Sequence, residues 1–130
     1  MKRVLFLLAL VSTFATAAGT VVYTDQHHPP SGVTPDVRIV YLDAPERWQQ
    51  QQFGELSSDP RLAARQVQQV LNSTDWPHRQ KELAEHYQGM LEAYQLGLAK
   101  YPAVVFDNRD VVYGTVDVPE AIALRRGKIR

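Results

Sequence analysis

Two adjacent histidines that closely follow an aspartate are the residues of this chain best suited to catalysis or metal binding. His27 and His28 follow Asp25 in a segment rich in turn-forming residues, 25–32. Imidazole and carboxylate are suitable zinc ligands, but adjacent histidines point apart on an extended chain and a structural zinc site needs four ligands. We therefore expect exposed loop histidines, with no metal and no other cofactor. A hydrolase or metal-dependent enzyme that uses the His27/His28 loop is the alternative.

Other candidates for catalysis have simpler explanations. Ser31 lies near the histidines but lacks the strand-turn-helix surroundings of a nucleophilic serine. Asp107 and Asp110 fall in an expected hairpin turn, where turn propensity accounts for both carboxylates. The chain contains no cysteine, so disulfide exchange, which needs a thiolate, is excluded. We predict that the protein is not an enzyme.

The N-terminal segment has the pattern of an export signal. A basic start at residues 1–3 is followed by an apolar run at 4–11 and by small residues at 15–18. The apolar run is too short to cross a bilayer comfortably. We predict a signal peptide over residues 1–18, cleaved near Ala17 or Ala18, and no membrane span after cleavage.

The charge balance argues against nucleic acid as a direct partner. Lys+Arg 14 equals Asp+Glu 14, and removal of Lys2 and Arg3 with the signal peptide leaves a slightly acidic chain. Affinity for phosphates depends on clustered positive charge. The basic residues at 125–130 lie at the C-terminus, and we expect a single domain over residues 19–126 and a solvated basic tail over 127–130.

A β-hairpin near the C-terminus organises the predicted fold. Two apolar runs, Ala103–Phe106 and 111–113, lie on either side of a polar turn. Because this turn lacks an Asn-Gly or Asp-Gly pair, we expect a four-residue connection built on a type I turn. Pro102 directly precedes the first run, and we predict a cis peptide bond between Tyr101 and Pro102.

Two further strands and four helices complete the prediction. Residues 19–24 and 37–42 are short runs rich in β-branched residues, typical of strands. A capping residue followed closely by proline begins three of the predicted helices, at Asp43, at Ser58 and Asp59, and at Asp117, and the third helix of the chain is expected to start near Asp75. In the last helix we expect Ala121, Ile122 and Leu124 to face the sheet.

The third helix, which we expect to run to about Ala99, carries two stripes. The first consists of large apolar residues and is expected to face the core: Leu83, Tyr87, Met90, Leu91, Tyr94 and Leu98. The second is a small-residue stripe of Gly89, Ala93 and Gly97. Glycine costs about 1 kcal/mol relative to alanine inside a helix, so we expect close packing within the chain to compensate. An oligomer interface through the same small-residue stripe is the alternative.

The order of the elements predicts a mixed sheet of about four strands with helices on both faces. This order, with a proline before the third strand, resembles a thioredoxin-like α/β fold. That fold normally has a helix between its first two strands, but residues 25–36 contain too much proline and glycine for one. We therefore expect a shortened first crossover, in which the first helix has shrunk to a turn; the alternative is that the first two strands are arranged differently.

Several blocks of the mature chain carry a more specific resemblance. They are residues 22–25 with 28–29, residues 41–43, and, more specifically, residues 87–97, 101–107 and 111–118. In these blocks the chain resembles small exported thioredoxin-like proteins of integrating conjugative elements. The resemblance implies a non-catalytic periplasmic accessory of a conjugative type IV secretion system. It also implies other envelope proteins as partners, one of which this chain binds or helps to assemble.

The resemblance also implies a position for a binding groove. In thioredoxin-like folds the loop before the cis-proline lies beside the loop after the first strand and can pair with an extended peptide. Strand addition of this kind needs main-chain groups and no thiols. The groove candidates are Gln26, His27, His28, Pro29, Tyr101 and Pro102, with Trp76 as a further wall. The alternative is that Pro102 only shapes the core and the groove is vestigial.

Overall fold

Four short strands pair into one mixed sheet in the computed structural model, which describes residues 19–128. The predicted signal peptide lies outside the described residues. The elements are β1 (Thr20–Thr24), β2 (Arg38–Tyr41), α1 (Ala44–Phe53), α2 (Pro60–Leu71), α3 (Trp76–Gln95), β3 (Ala103–Phe106), β4 (Asp110–Tyr113) and α4 (Val118–Lys128). In this part of the chain, no helix combines the length and apolarity needed to cross a membrane.

The strand order is β2-β1-β3-β4, with β1 at the centre. It pairs in parallel with β2 and antiparallel with β3, and β4 returns antiparallel to β3. Alternate β1 residues point to opposite faces, so Val22 contributes to a core with α4 while Val21 contributes to a core with α3. Helices thus cover both faces, which confirms the predicted thioredoxin-like α/β fold.

The connection between β1 and β2 contains no helix, as predicted. Its middle instead pairs with the segment before α4: the Ser31 amide donates to the Val116 carbonyl at 3.0 Å, and the Val118 amide donates to the Ser31 carbonyl at 3.1 Å. Gly32 has φ +63°, and a Cβ there would lie 2.4 Å from Cδ of Pro119. The loop therefore packs on the α4 side of the sheet through backbone bonds and one close glycine contact.

The hairpin is present and its Tyr101–Pro102 peptide bond is cis, as predicted. The predicted four-residue type I connection is wrong. Asp107 and Asn108 both have positive φ, 54° and 53°, and the Arg109 amide donates to the Phe106 carbonyl at 3.0 Å. This is the φ pattern of a type I′ turn. Aspartate and asparagine tolerate the left-handed region better than other non-glycine residues, so this turn forms without glycine.

Helix α4 begins as predicted but buries fewer residues than predicted. The Asp117 carboxylate accepts from the Glu120 amide at 3.0 Å, which caps the helix. Ala121 is fully buried, whereas Ile122 and Leu124 are exposed. Ile122, four residues after Val118, still lines a depression with Thr20 and Phe106 of the sheet. The expectation was wrong for Leu124, which points to a different side of the helix from Val118 and Ala121. Helix α4 also includes residues 127 and 128, which we had assigned to the tail.

Helix α3 faces the sheet with its small-residue stripe. The predicted core stripe is wrong for most of its members, although Leu98, past the end of the helix, packs against the core as expected. Gly89 and Ala93 are buried, whereas Tyr87, Leu91 and Tyr94 are exposed. A Cβ on Gly89 would lie 2.7 Å from Cγ1 of Val40, so the missing side chain lets the helix backbone approach β2 closely. The close approach within the chain is confirmed at Gly89 and Ala93, and it turns the large residues toward solvent.

Gly97 has a different function from the other two small residues. It lies past the end of α3 at Gln95, which is earlier than the predicted end near Ala99. Its φ is +67°, its amide donates to the Tyr94 carbonyl, and the Leu98 amide donates to the Ala93 carbonyl. This is a Schellman arrangement, in which glycine ends the helix in the left-handed region.

Gly89→Ala should destabilise the protein, although alanine is the better helix former by about 1 kcal/mol. The new Cβ meets the stiff, β-branched Val40, and overpacking of this kind costs about 1–3 kcal/mol. Urea unfolding of the wild type, of Gly89→Ala, of Val40→Ala and of the double variant gives the coupling energy between the two positions. We expect Val40→Ala to relieve much of the cost of Gly89→Ala. A Gly89→Ala variant stabilised by its full gain in helix propensity would contradict the close contact.

Candidate binding groove at the strand ends

The sheet register brings three distant segments together. The residue pairs of β1 and β3 end at Tyr23 and Ala103, and continuing that register by two residues places Asp25 opposite Tyr101. On the other side of β1, the Leu42 amide donates to the Thr24 carbonyl at 2.8 Å, so the chain enters α1 beside the same edge. The carboxyl ends of parallel strands are where open α/β sheets bind ligands.

A groove of about 370 Å³ lies at this edge. It is lined by Asp25, Gln26, His27, Asp43, Glu46, Arg47, Gln50 and Tyr101. Three of the six predicted groove residues, Gln26, His27 and Tyr101, are thus brought together. Tyr101 is 53% exposed, so its ring is available to a ligand.

The remaining predicted groove residues lie elsewhere. His28 and Pro29 are exposed in the same loop but do not line the groove, and Pro102 is half-buried with its carbonyl accepting from the Gly114 amide at 2.9 Å. The assignment of Trp76 to a groove wall was wrong. Its ring packs against buried Trp48 of α1, with ring centroids 6.0 Å apart, and this contact is part of the apolar packing between α1 and α3.

Asp43 fixes the histidine loop to the start of α1. We predicted that Asp43 caps this helix, but its side chain makes no capping bond. Its carboxylate instead accepts from the Gln26 amide at 3.2 Å and pairs with Arg47 at 3.2 Å. The first turn of α1 thereby supplies a wall of the groove.

Asp25 and His28 form a pair within the loop. Nδ1 of His28 lies 2.7 Å from Oδ1 of Asp25, and the same oxygen accepts from the His27 amide at 2.9 Å. The hydrogen bond with His28, and then that with the His27 amide, lowers the pKa of Asp25 below its ordinary value of 3.8. Asp25 therefore stays ionised and holds the loop in one conformation.

The groove is electronegative. Three carboxylates, Asp25, Asp43 and Glu46, line it together with one guanidinium, that of Arg47, which already pairs with Asp43. The groove continues past Tyr101 into a second depression of about 640 Å³ with a more apolar wall. Leu42, Ala93, Tyr94 and Leu98 belong to that wall. Asp43, Glu46 and Tyr101 line both depressions, and Lys100 lines the second. The histidine-loop end therefore suits a cationic group, and the far wall of the second depression suits apolar side chains.

Sequence reasoning missed the α1 side of the groove, namely Glu46, Arg47 and Gln50. We interpreted residues 43–46 as a helix start, and that interpretation assigned the acidic residues to the helix dipole. The sequence did contain a signal for this side of the groove. An acidic residue directly follows each of the first two predicted strands: Asp25 follows residues 19–24, and Asp43 follows residues 37–42. Parallel pairing of the two strands would have placed both carboxylates at one edge.

The other candidates for chemistry are placed apart from this groove. Among residues 19–128, no three histidine, aspartate and glutamate side chains are arranged to hold a metal ion. Asp107 and Asp110 both pair with Arg125 of α4, at 2.9 and 2.8 Å, and so connect the hairpin turn to that helix. Ser31 contributes its backbone to the pairing with residues 116–118.

Fold and site together define a cysteine-free α/β protein whose mixed four-stranded sheet is compatible with a thioredoxin-like fold, with an acidic groove at the strand ends. The chain belongs to the family described as Protein of unknown function (DUF1525), whose model matches residues 17–127. Comparison with curated proteins gives no match, and comparison with solved structures gives none either.

Asp25→Asn should lower stability in a pH-dependent manner. Because the pKa of Asp25 is lowered on folding, its carboxylate stabilises the protein above about pH 4, and this contribution is lost as the pH falls through the lowered pKa. The difference in free energy of unfolding between wild type and Asp25→Asn should therefore narrow on acidification. Chemical denaturation from pH 5 to pH 3 measures it, with exposed Glu55→Gln as the control. A difference that widens on acidification would contradict the pairing.

Proposed function

We propose that this protein is a non-catalytic periplasmic accessory of a conjugative type IV secretion system. In this proposal, residues 1–18 direct export, and the mature domain binds or helps to assemble another exported envelope protein. The resemblance to proteins of integrating conjugative elements supports the setting, and the cysteine-free sequence supports a role other than disulfide exchange.

The observation that carries the proposal is the position of Tyr101 beside the histidine loop. Tyr101, Gln26 and His27 line one groove at the carboxyl ends of β1 and β2. The binding mode we propose is an extended segment of the partner that crosses this groove. Main-chain hydrogen bonds supply affinity in such complexes, and side-chain pockets supply specificity.

The charge of the groove defines the preferred segment. Asp25, Asp43 and Glu46 outnumber Arg47, so a lysine or arginine of the partner is favoured at the histidine-loop end. Beyond Tyr101 the groove is walled by Leu42 and Leu98, which suit an apolar side chain. We therefore propose an extended segment in which a basic residue lies one to several residues from an apolar one.

A hydrolase or metal-dependent enzyme is the second candidate, and one observation favours it. The Asp25–His28 pair resembles the carboxylate–histidine pair that orients a general base. Against it, the His28 side chain is half exposed, and it does not line the groove where Tyr101 lies.

Tyr101→Ala should abolish capture of the partner. Affinity purification from cells carrying the whole transfer region, followed by mass spectrometry, compares the wild type with this variant. Tyrosines at the centre of an interface contribute about 2 kcal/mol or more, so partner recovery should fall at least ~10-fold. The matched control is Leu124→Ala. Leu124 is exposed on α4, which covers the opposite face of the sheet, so this variant should retain the partner.

Two results would contradict the proposal. In the first, wild type and Tyr101→Ala enrich the same envelope proteins equally, which removes the groove from partner binding. In the second, the purified protein hydrolyses a substrate or binds zinc stoichiometrically, and the double variant His27→Ala, His28→Ala abolishes this with little loss of stability. That second result would establish the enzyme.

A further inference from the structure

The outward side of α3 forms a helical seam with no charged residue. Gln80, Ala84, Tyr87, Leu91 and Tyr94 follow one another at spacings of four, three, four and three residues, and all five are exposed. This alternation is that of a coiled-coil seam, in which such residues lie along one side of a helix. Tyr94 is 83% exposed, and Tyr87 and Leu91 are each 47% exposed.

The positions on both sides of this seam are also largely uncharged. Gln88 and Gln95 lie on one side and Met90 on the other, and all three are exposed. Two charged residues of α3 contact other elements of the same chain: Glu92 pairs with Arg38 of β2, and Arg79 bonds to Gln52 of α1. Lys81 lies on the same flank as Gln88, one heptad before it, and is therefore at the N-terminal end of the seam and away from its centre. Charges beside a coiled-coil seam normally set the choice of partner and its orientation, and here they are missing at the centre of the seam.

We propose that this seam is the interface of a homodimer, in which α3 of one copy packs on α3 of a second copy about a two-fold axis. A two-fold interface must be complementary to itself. A neutral strip of tyrosine, leucine, methionine and glutamine meets that requirement, because two such strips come together without like-charge repulsion. A partner recognised by charge would instead need a charged rim around Tyr87 and Leu91.

The seam offers large side chains to a second copy. Met90 is 39% exposed, Tyr87 and Leu91 are each 47% exposed and Tyr94 is 83% exposed, and a standard interface of about 600–1,000 Å² per partner is built by burying such residues. Two tyrosines lie within it, and tyrosine is enriched at the energetic centres of interfaces. The seam is on the face of α3 opposite to Gly89 and Ala93, so this dimer differs from an interface through the small-residue stripe.

The test is the mass of the purified protein in solution. Sedimentation equilibrium up to ~100 µM, where a micromolar Kd gives mostly dimer, should yield about twice the mass of one chain. Leu91→Lys should convert the protein to a monomer, because it puts two like charges into the seam. Leu62→Lys on α2 is the matched control, since Leu62 is also 47% exposed on a helix, and it should remain dimeric.

Cross-linking provides a second readout that does not depend on the folding of Leu91→Lys. Because the chain has no cysteine, Tyr87→Cys and Leu62→Cys each introduce a single thiol. Oxidation should join two copies through Cys at position 87, which lies at the centre of the seam, and not through position 62. A wild-type monomer at ~100 µM would overturn the proposal, as would a dimer that survives Leu91→Lys. Capture of a different protein by a monomer through this seam would also overturn it.

Discussion

The contact between Gly89 of α3 and Val40 of β2 determines which side of the longest helix faces the sheet. A glycine at this position brings the helix backbone against a β-branched side chain, and Ala93 extends the contact by one turn. The helix has large apolar residues on its other side, which would ordinarily form the core. Because the small side packs inward, those large residues become surface, and the helix acquires a second face that is available for binding.

The central position of β1 accounts for the groove in a similar way. Its parallel pairing with β2 brings Asp43 to the sheet edge, and its antiparallel pairing with β3 brings Tyr101 to the same edge. The groove is thus a consequence of strand register rather than of any local motif. Asp25 and Asp43 then hold the loop in place by accepting from the His27 and Gln26 amides.

Strand and helix positions, the shortened crossover, the hairpin and the cis peptide bond at Pro102 could all be predicted from the sequence, because each depends on local residue preferences. The sides of helices could not. Large apolar residues at helical spacing normally predict a buried side, but in α3 the distance between helix and sheet decides the outcome, and that distance depends on Gly89 meeting Val40. The α1 wall of the groove could not be predicted either, since Glu46 and Arg47 fit the first turn of a helix as well as they fit a binding groove. The turn at Asp107 and Asn108 has the φ pattern of a type I′ turn, which these residue types tolerate. Its sequence lacks the glycine that usually indicates that turn type.

The side of α3 that faces the sheet is tested most directly by identifying which protons lie close to the Val40 methyl groups in solution. Nuclear Overhauser spectra of isotope-labelled protein report which residue of α3 lies against them. The account predicts strong contacts from the Val40 methyls to the Hα protons of Gly89. Contacts from these methyls to the ring of Tyr87 or the methyls of Leu91, with none to Gly89, would contradict it, because α3 would then face the sheet with its large residues.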